Sequence, residues 1–311
     1  MRSLLVSLLA GLGLAADAVA NDAWQPVQLP HTVQHETHSQ STGRDYRLYV
    51  AEPRQAPPPG GYPMLYVLDG NALFPGLAIQ AQALEDRPEP SLRDSVLVVG
   101  IGYPGEALYQ FKARAEDYTP DAEDRQRLPG REPPPSGGAD DFLAFIETEL
   151  KPLIARRYPV NARAQTLFGH SYGGLFTLHT LLNRPRAFQG YVAASPSIWW
   201  YKGYIERTLA GFERQAADRD LGAQLLVTAG SAEEPAPDDP LTDPRQRHMA
   251  ERRMVGNARD LARRLDAIAG LDVRFVLNPD ANHGTNSFHS AIEALELAAR
   301  IGRSARPERG D

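Results

Sequence analysis

The sequence predicts a single α/β domain, with a mostly parallel, doubly wound sheet, antiparallel strands on its N-terminal side and helices on both faces. Three observations carry this expectation. Short apolar strand patterns alternate with helical patterns from residue 63 to residue 301, the order that builds a parallel sheet with crossover helices. Two of the strands, 63–68 and 95–101, are continuous apolar runs ending in glycine-bearing loops, as strands buried on both faces do. Gly169-His170-Ser171-Tyr172-Gly173-Gly174 stands between a short apolar strand at 164–168 and a helical pattern at 175–182.

From the N-terminus, Met1-Arg2-Ser3 is a short basic start, 4–15 is apolar, and Ala18-Val19-Ala20 fits an A-x-A cleavage site. Residues 1–20 therefore read as a secretory signal peptide cut before Asn21. Its apolar run is short for a bilayer span, and nothing later is long and apolar enough. The expected compartment is the periplasm, with no stable membrane span after cleavage.

Residues 24–38 and 44–50 alternate apolar and polar positions about a turn at 41–44 and are expected to pair antiparallel. Residues 53–61, with four prolines and two glycines, form a surface connection. The strand at 63–68 feeds Asp69-Gly70-Asn71, and the strand at 95–101 feeds Gly102-Tyr103-Pro104-Gly105. From 114 to 139 periodicity disappears, which suggests a loop over the site. Residues 140–157 place Phe142, Phe145, Ile146, Leu150, Leu153 and Ile154 on one helical face, with Pro152 bending or restarting the helix. Strands follow at 190–194, 222–229 and 273–277, and helices at 247–269 and 287–301. The domain is expected to span 21–303, and the polar residues 304–311 to be a disordered tail.

Bulk numbers narrow the function classes. With 42% apolar and 23% charged residues, the 311-residue chain has an ordinary globular composition. Its net charge is -6, and no basic stripe interrupts it, which argues against nucleic acid as a partner. Without cysteine it has neither a disulfide framework nor a thiolate metal site.

The glycine-serine stretch fits G-x-S-x-G in the strand–turn–helix context of a nucleophile elbow, where bulk near the serine is not tolerated. Gly169 and Gly173 are expected to supply the room. A serine hydroxyl needs a base. Of the eight histidines, His283 lies in the loop between the last strand and last helix, where the base comes last in the chain order of this fold; His289 lies inside the helix pattern. The acid is expected just after the strand at 222–229, where Glu233 is favoured over Glu234 and Asp238. An oxyanion needs two preorganised amide donors, one from Tyr172 and one from Gly70 or Asn71.

These residues resemble the esterase family of the α/β-hydrolase fold that includes esterase D and the bacterial siderophore esterases for enterobactin, salmochelin and bacillibactin. The similarity takes in residues 43–47, 66–70, 99–103, 138–158 and the elbow. It is most specific at Asp117-Tyr118-Thr119-Pro120 and Ser195-Pro196-Ser197-Ile198-Trp199-Trp200, which favour the siderophore branch. The resemblance implies a serine hydrolase that opens a ferric catecholate trilactone and eases iron release. A broad carboxylesterase or feruloyl-type esterase is the alternative, and a non-catalytic siderophore-binding protein the alternative from another class. Such an aromatic, anionic ligand calls for cationic and flat apolar contacts. Arg114, Arg131, Trp199 and Trp200 are the candidates, with at least one tryptophan expected in the core. No metal or other cofactor is implied, because iron arrives with the ligand.

Overall fold

The computed structural model describes residues 24–121, 135–201, 203–216 and 221–306. One eight-stranded sheet runs in the order β1-β2-β4-β3-β5-β6-β7-β8. β1 (Thr32–His38), β2 (Asp45–Ala51) and β4 (Leu97–Gly102) pair antiparallel in that order. Every other pairing, through β3 (Tyr62–Val67), β5 (Val160–His170), β6 (Gly190–Ala194), β7 (Ala223–Gly230) and β8 (Leu271–Asn278), is parallel. This is the α/β-hydrolase arrangement that the strand and helix order predicts.

Burial follows strand position. Every residue of β3, β4 and β6 is buried, whereas β1 and β8 at the sheet edges are largely open, because only central strands are covered on both faces. α1 (Gly70–Glu85) and α9 (His283–Ser304) cover one face through Leu73, Phe74, Leu77, Leu295 and Ala298. The other face carries α5 (Tyr172–Asn183) and, through Phe142, Phe145, Ile146 and Leu150, the helical stretch that begins with α3 (Ala139–Phe145).

Several expectations change. The last helix, expected over 287–301, begins at His283, and the aperiodic stretch expected from 114 starts inside α2 (Phe111–Asp117), while 122–134 lie outside the described residues. Residues 24–31 lie outside β1, and Trp24 is 98% exposed. The helical stretch from 139 stays continuous by widening to a π turn over Ile146–Leu150 before α4 (Lys151–Arg157). Pro152 has no N–H for a regular bond and its ring crowds the preceding turn, and the wide turn accommodates both effects. The helix expected over 247–269 is two: α7 (Pro244–Arg252) ends at Arg253, whose φ of 47° is left-handed, and α8 (Met254–Asp266) restarts after it. The expected signal peptide at 1–20 lies outside the described residues. So do 307–311 of the expected tail, while α9 continues through Ser304. No helix among the described residues is long and apolar enough to cross a membrane.

Candidate active site

β5 delivers Ser171 to the carboxyl edge of the sheet, where the chain reverses into α5. Ser171 has φ 60° and ψ −114°, a sparsely populated conformation costing about 1–3 kcal/mol that persists only where the surroundings enforce it. Gly169 shows how they do. A Cβ there would lie 2.2 Å from the Gly173 carbonyl oxygen, so only glycine lets strand and helix backbones approach this closely. Gly173 itself has ordinary room for a Cβ, 3.4 Å from Leu68; its share in the elbow is its carbonyl.

His283 opens α9. Asn282 caps that helix by accepting from the amides of Gly284 and Thr285 at 2.9 and 3.1 Å, which sets the direction in which His283 leaves the backbone. Its Nε2 is 3.0 Å from Ser171 Oγ and its Nδ1 is 2.6 Å from Glu233 Oε2. Glu233 sits in a single 3₁₀ turn, Ser231–Glu233, directly after β7. That turn rather than sequence proximity separates the carboxylates. Glu233 faces inward to His283, Glu234 accepts from the Gly256 amide at 2.8 Å, and Asp238 is exposed.

The Glu233 side chain is 1% exposed, and its other oxygen, Oε1, accepts from Ser195 Oγ at 2.5 Å and the Gly230 amide at 2.6 Å. Ser195 Oγ in turn accepts from Asn286 Nδ2 at 2.8 Å, and Asn286 Oδ1 from Asn278 Nδ2 at 2.7 Å. A carboxylate this buried is tolerated because its lone pairs are met. Gly230 is required here, since a Cβ would lie 2.2 Å from the Ala281 carbonyl oxygen. That same carbonyl accepts from the Ala232 amide at 3.0 Å and ties the acid turn to the loop before His283.

His170 is a structural partner that the sequence reading left unused. Burial, assisted by the neighbouring His283 ring, holds its imidazole down to about 3, so it is neutral near pH 7. Its Nε2 lies 2.7 Å from the His283 carbonyl oxygen. A carbonyl only accepts, so Nε2 carries the proton, and the elbow thereby anchors the backbone of the facing histidine. Ser197 is a second such residue. Its amide donates to the Ser171 carbonyl at 3.2 Å, and its hydroxyl is 3.4 Å from Ser171 Oγ. A glycine–histidine–serine run and a serine–proline–serine run after the next strand were the available signals.

Tyr172 begins α5, and Gly70 and Asn71 begin α1 after Asp69, whose φ is 54°. Amides in the first turn of a helix have no intrahelical acceptor. The Asn71 side chain brackets Tyr103, donating to its carbonyl at 2.9 Å and accepting from its amide at 2.8 Å, which fixes the start of α1.

Arg114 corrects the expectation of an open substrate contact. It belongs to α2 (Phe111–Asp117), is 7% exposed, and grips Asp69 with Nε and Nη2 at 2.7 and 2.8 Å. Burial opposes its charge and the Asp69 carboxylate outweighs that, so its pKa stands above the ordinary arginine value. Asp69 is 45 residues away in sequence, so the pairing is a tertiary fact. The Asp-Tyr-Thr-Pro stretch is likewise a scaffold. Asp117 accepts from the hydroxyls of Tyr46 and Tyr103, each at 2.9 Å, and Tyr118 Oη accepts from the Asp69 amide at 3.1 Å. Trp200 is a core residue at 8% exposure; Trp199 is half-buried under the Arg252 guanidinium. Arg131 lies outside the described residues. Leu108 and Phe111 are exposed beside Tyr109, whose ring lies 5.8 Å from the Arg114 guanidinium. Among the described residues no cluster of three or more histidines and carboxylates is arranged to hold a metal.

The fold and the serine–histidine–glutamate arrangement are those of a hydrolase of the α/β-hydrolase class, and its family and relatives make it a carboxylic ester hydrolase. The Esterase family model matches residues 39–253, and the chain belongs to that family. It is 37% identical over 250 residues to the ferri-bacillibactin esterase BesA of Bacillus subtilis, covering 79% of this chain and 81% of that protein. It is 36% identical over 258 residues to the siderophore triacetylfusarinine C esterase of Aspergillus fumigatus, covering 79% and 85%. Among solved structures, the BES protein of Bacillus cereus superposes with a TM-score of 0.77 at 31% identity, covering 89% of this chain and 99% of that one.

Proposed function

We propose that this esterase opens the ester bonds of a catecholate trilactone siderophore, with Ser171 as nucleophile, His283 as general base and then acid, and Glu233 as the residue orienting it. The observation that carries the reading is the pair of contacts at His283, 3.0 Å to Ser171 and 2.6 Å to Glu233. Ser171 Oγ attacks the ester carbonyl as His283 Nε2 takes its proton. The oxyanion is received by the Tyr172 amide together with that of Gly70 or Asn71. Collapse expels the alkoxide, which takes the proton from His283, and leaves an acyl-serine. Water activated by the same histidine then attacks, releasing the acid and restoring the hydroxyl.

Substrate class rests on the relatives, whose names specify siderophore esters. Exposed Phe111 beside Tyr109, and half-buried Trp199 two residues beyond Ser197, are flat surfaces of the kind an aromatic ligand would use. The export reading rests on the leader pattern at 1–20 and assigns the protein to the periplasm. The test is incubation with ferric enterobactin followed by mass spectrometry, with Ser171→Ala as the control. Stepwise addition of one water per ester bond, absent in the variant, is expected. An intact trilactone beside rapid turnover of short acyl esters would retire the siderophore reading in favour of a broad carboxylesterase.

A further inference from the structure

We infer that Arg252 makes this site select esters that carry an anionic group, by receiving that group on its guanidinium over Trp199. The inference rests on Ser171 being the nucleophile and specifies what the neighbouring wall recognises.

Position is the first ground. Arg252 closes α7, and its guanidinium lies 4.2 Å over the Trp199 ring, two residues beyond the serine whose amide binds the Ser171 carbonyl. Burial raises the Tyr172 phenol, and the charges of Arg252 and Arg114 both oppose that rise. The residue directly after Ser171 thus stands in the field of two guanidinium groups.

The two arginines differ in how their charge is met, which is the second ground. Arg114 is paired in two bonds to one carboxylate. Arg252 makes no ion pair among the described residues, and its Nε and the Trp199 Nε1 beneath it are buried donors without an acceptor. Stacking on an indole attracts the guanidinium but leaves its positive charge unneutralised. Two orphaned donors and a cation without an ion pair, on the segment that Ser197 ties to Ser171, fit an anionic oxygen that comes with the ligand.

Local charge agrees. Residues 244–253 carry Arg245, Arg247, Arg252 and Arg253 against Glu251 alone, in a chain whose net charge is -6. Of these arginines, Arg253 is committed to Asp260 at 3.3 Å. No residue of α7 is buried, so the helix lies on the surface and contributes little to the core.

The chemistry recognised is an anionic oxygen group attached to the ester, whether a carboxylate or a catecholate. The test compares kcat/KM for two matched esters, neutral p-nitrophenyl butyrate and the carboxylate-bearing mono-p-nitrophenyl glutarate, in the wild type, Arg252→Gln and Arg252→Lys. In the wild type the anionic-to-neutral ratio is expected to fall as salt is raised from 0.1 to 1 M, because the Debye length shrinks from about 10 to about 3 Å. In Arg252→Gln the ratio should drop about ten-fold, through KM, the size of one modest charge-assisted contact. Arg252→Lys should recover most of it. Equal losses on both esters in both variants would mark a merely structural residue and overturn the inference, as would an unchanged ratio in Arg252→Gln. Ferric enterobactin as a third substrate separates the claims. If it is not turned over while the glutarate preference tracks residue 252, the siderophore reading fails and the role of Arg252 stands.

Discussion

The two sides of Ser171 treat their polar groups in opposite ways. On the His283 side, Glu233 is enclosed and its oxygens are met by His283, Ser195 and the Gly230 amide. On the Ser197–Trp199 side, Arg252 and Trp199 keep buried donors without acceptors. The contrast separates two demands on one site. Geometry for bond breaking is held best by a web with nothing left to satisfy, because every alternative arrangement costs a hydrogen bond. Recognition needs groups left incomplete until the ligand arrives.

Breaking the satisfied side should have the largest effect. Glu233→Gln keeps the shape but removes the carboxylate that, in the proposed mechanism, stabilises the imidazolium and selects its tautomer. A loss in kcat of about 10³–10⁴-fold is expected, measured on p-nitrophenyl butyrate with the circular dichroism spectrum unchanged. A loss of only a few-fold would show that His283 works without its acid.

Ser195→Ala cuts one link further out. Glu233 retains the Gly230 amide, and Asn286 retains Thr228 Oγ1 at 3.2 Å. The expected cost is about 1–3 kcal/mol of stability by urea denaturation. kcat should fall about ten-fold with KM unchanged, as a small misplacement of His283 would produce. An unchanged kcat would make the Ser195 link irrelevant to the reaction.

The smallest effect concerns pH. Burial depresses the folded-state pKa of His170 from its ordinary 6.5 to about 3. Its contribution to stability is complete above 6.5 and drains as pH falls through that interval. Asp117 runs the other way, because burial lifts its carboxyl to about 6 against the opposing Arg44 charge and tyrosine hydroxyl bonds; its contribution grows as pH falls below 6. His170→Gln keeps an N–H toward the His283 carbonyl and removes the titration. The fall in melting temperature between pH 6.5 and pH 4 should become shallower in that variant. An equal slope would assign the acid sensitivity elsewhere.

The sequence made the scaffold legible and left the wiring hidden, for a physical reason. The alternation of strands and helices, the elbow and the place of His283 follow from local patterns: an apolar run, a glycine that lets two backbones touch, a histidine shortly after the last strand. Glu233 could be narrowed only to a cluster, since the 3₁₀ turn decides which of several acids faces inward. The buried role of Arg114 is not legible in the sequence, because it stands in a polar segment while its partner Asp69 comes from another strand end. Arg252 was unreadable, because an arginine late in an apparently continuous helix gives no sign that the helix stops at Arg253 and lays it over Trp199. Asp117-Tyr118-Thr119-Pro120, on which the resemblance leans most, supplies framework contacts through Asp117 and Tyr118, so the specificity of a motif and contact with substrate are separate properties.

The central claim is that the strained serine at the end of β5 is the one that reacts. Intact-protein mass spectrometry after treatment with a fluorophosphonate tests it most directly. The account predicts a single adduct, mapped to the peptide holding Ser171 and absent from a folded Ser171→Ala variant. Undiminished labelling of that variant, or no labelling of the wild type, would contradict it.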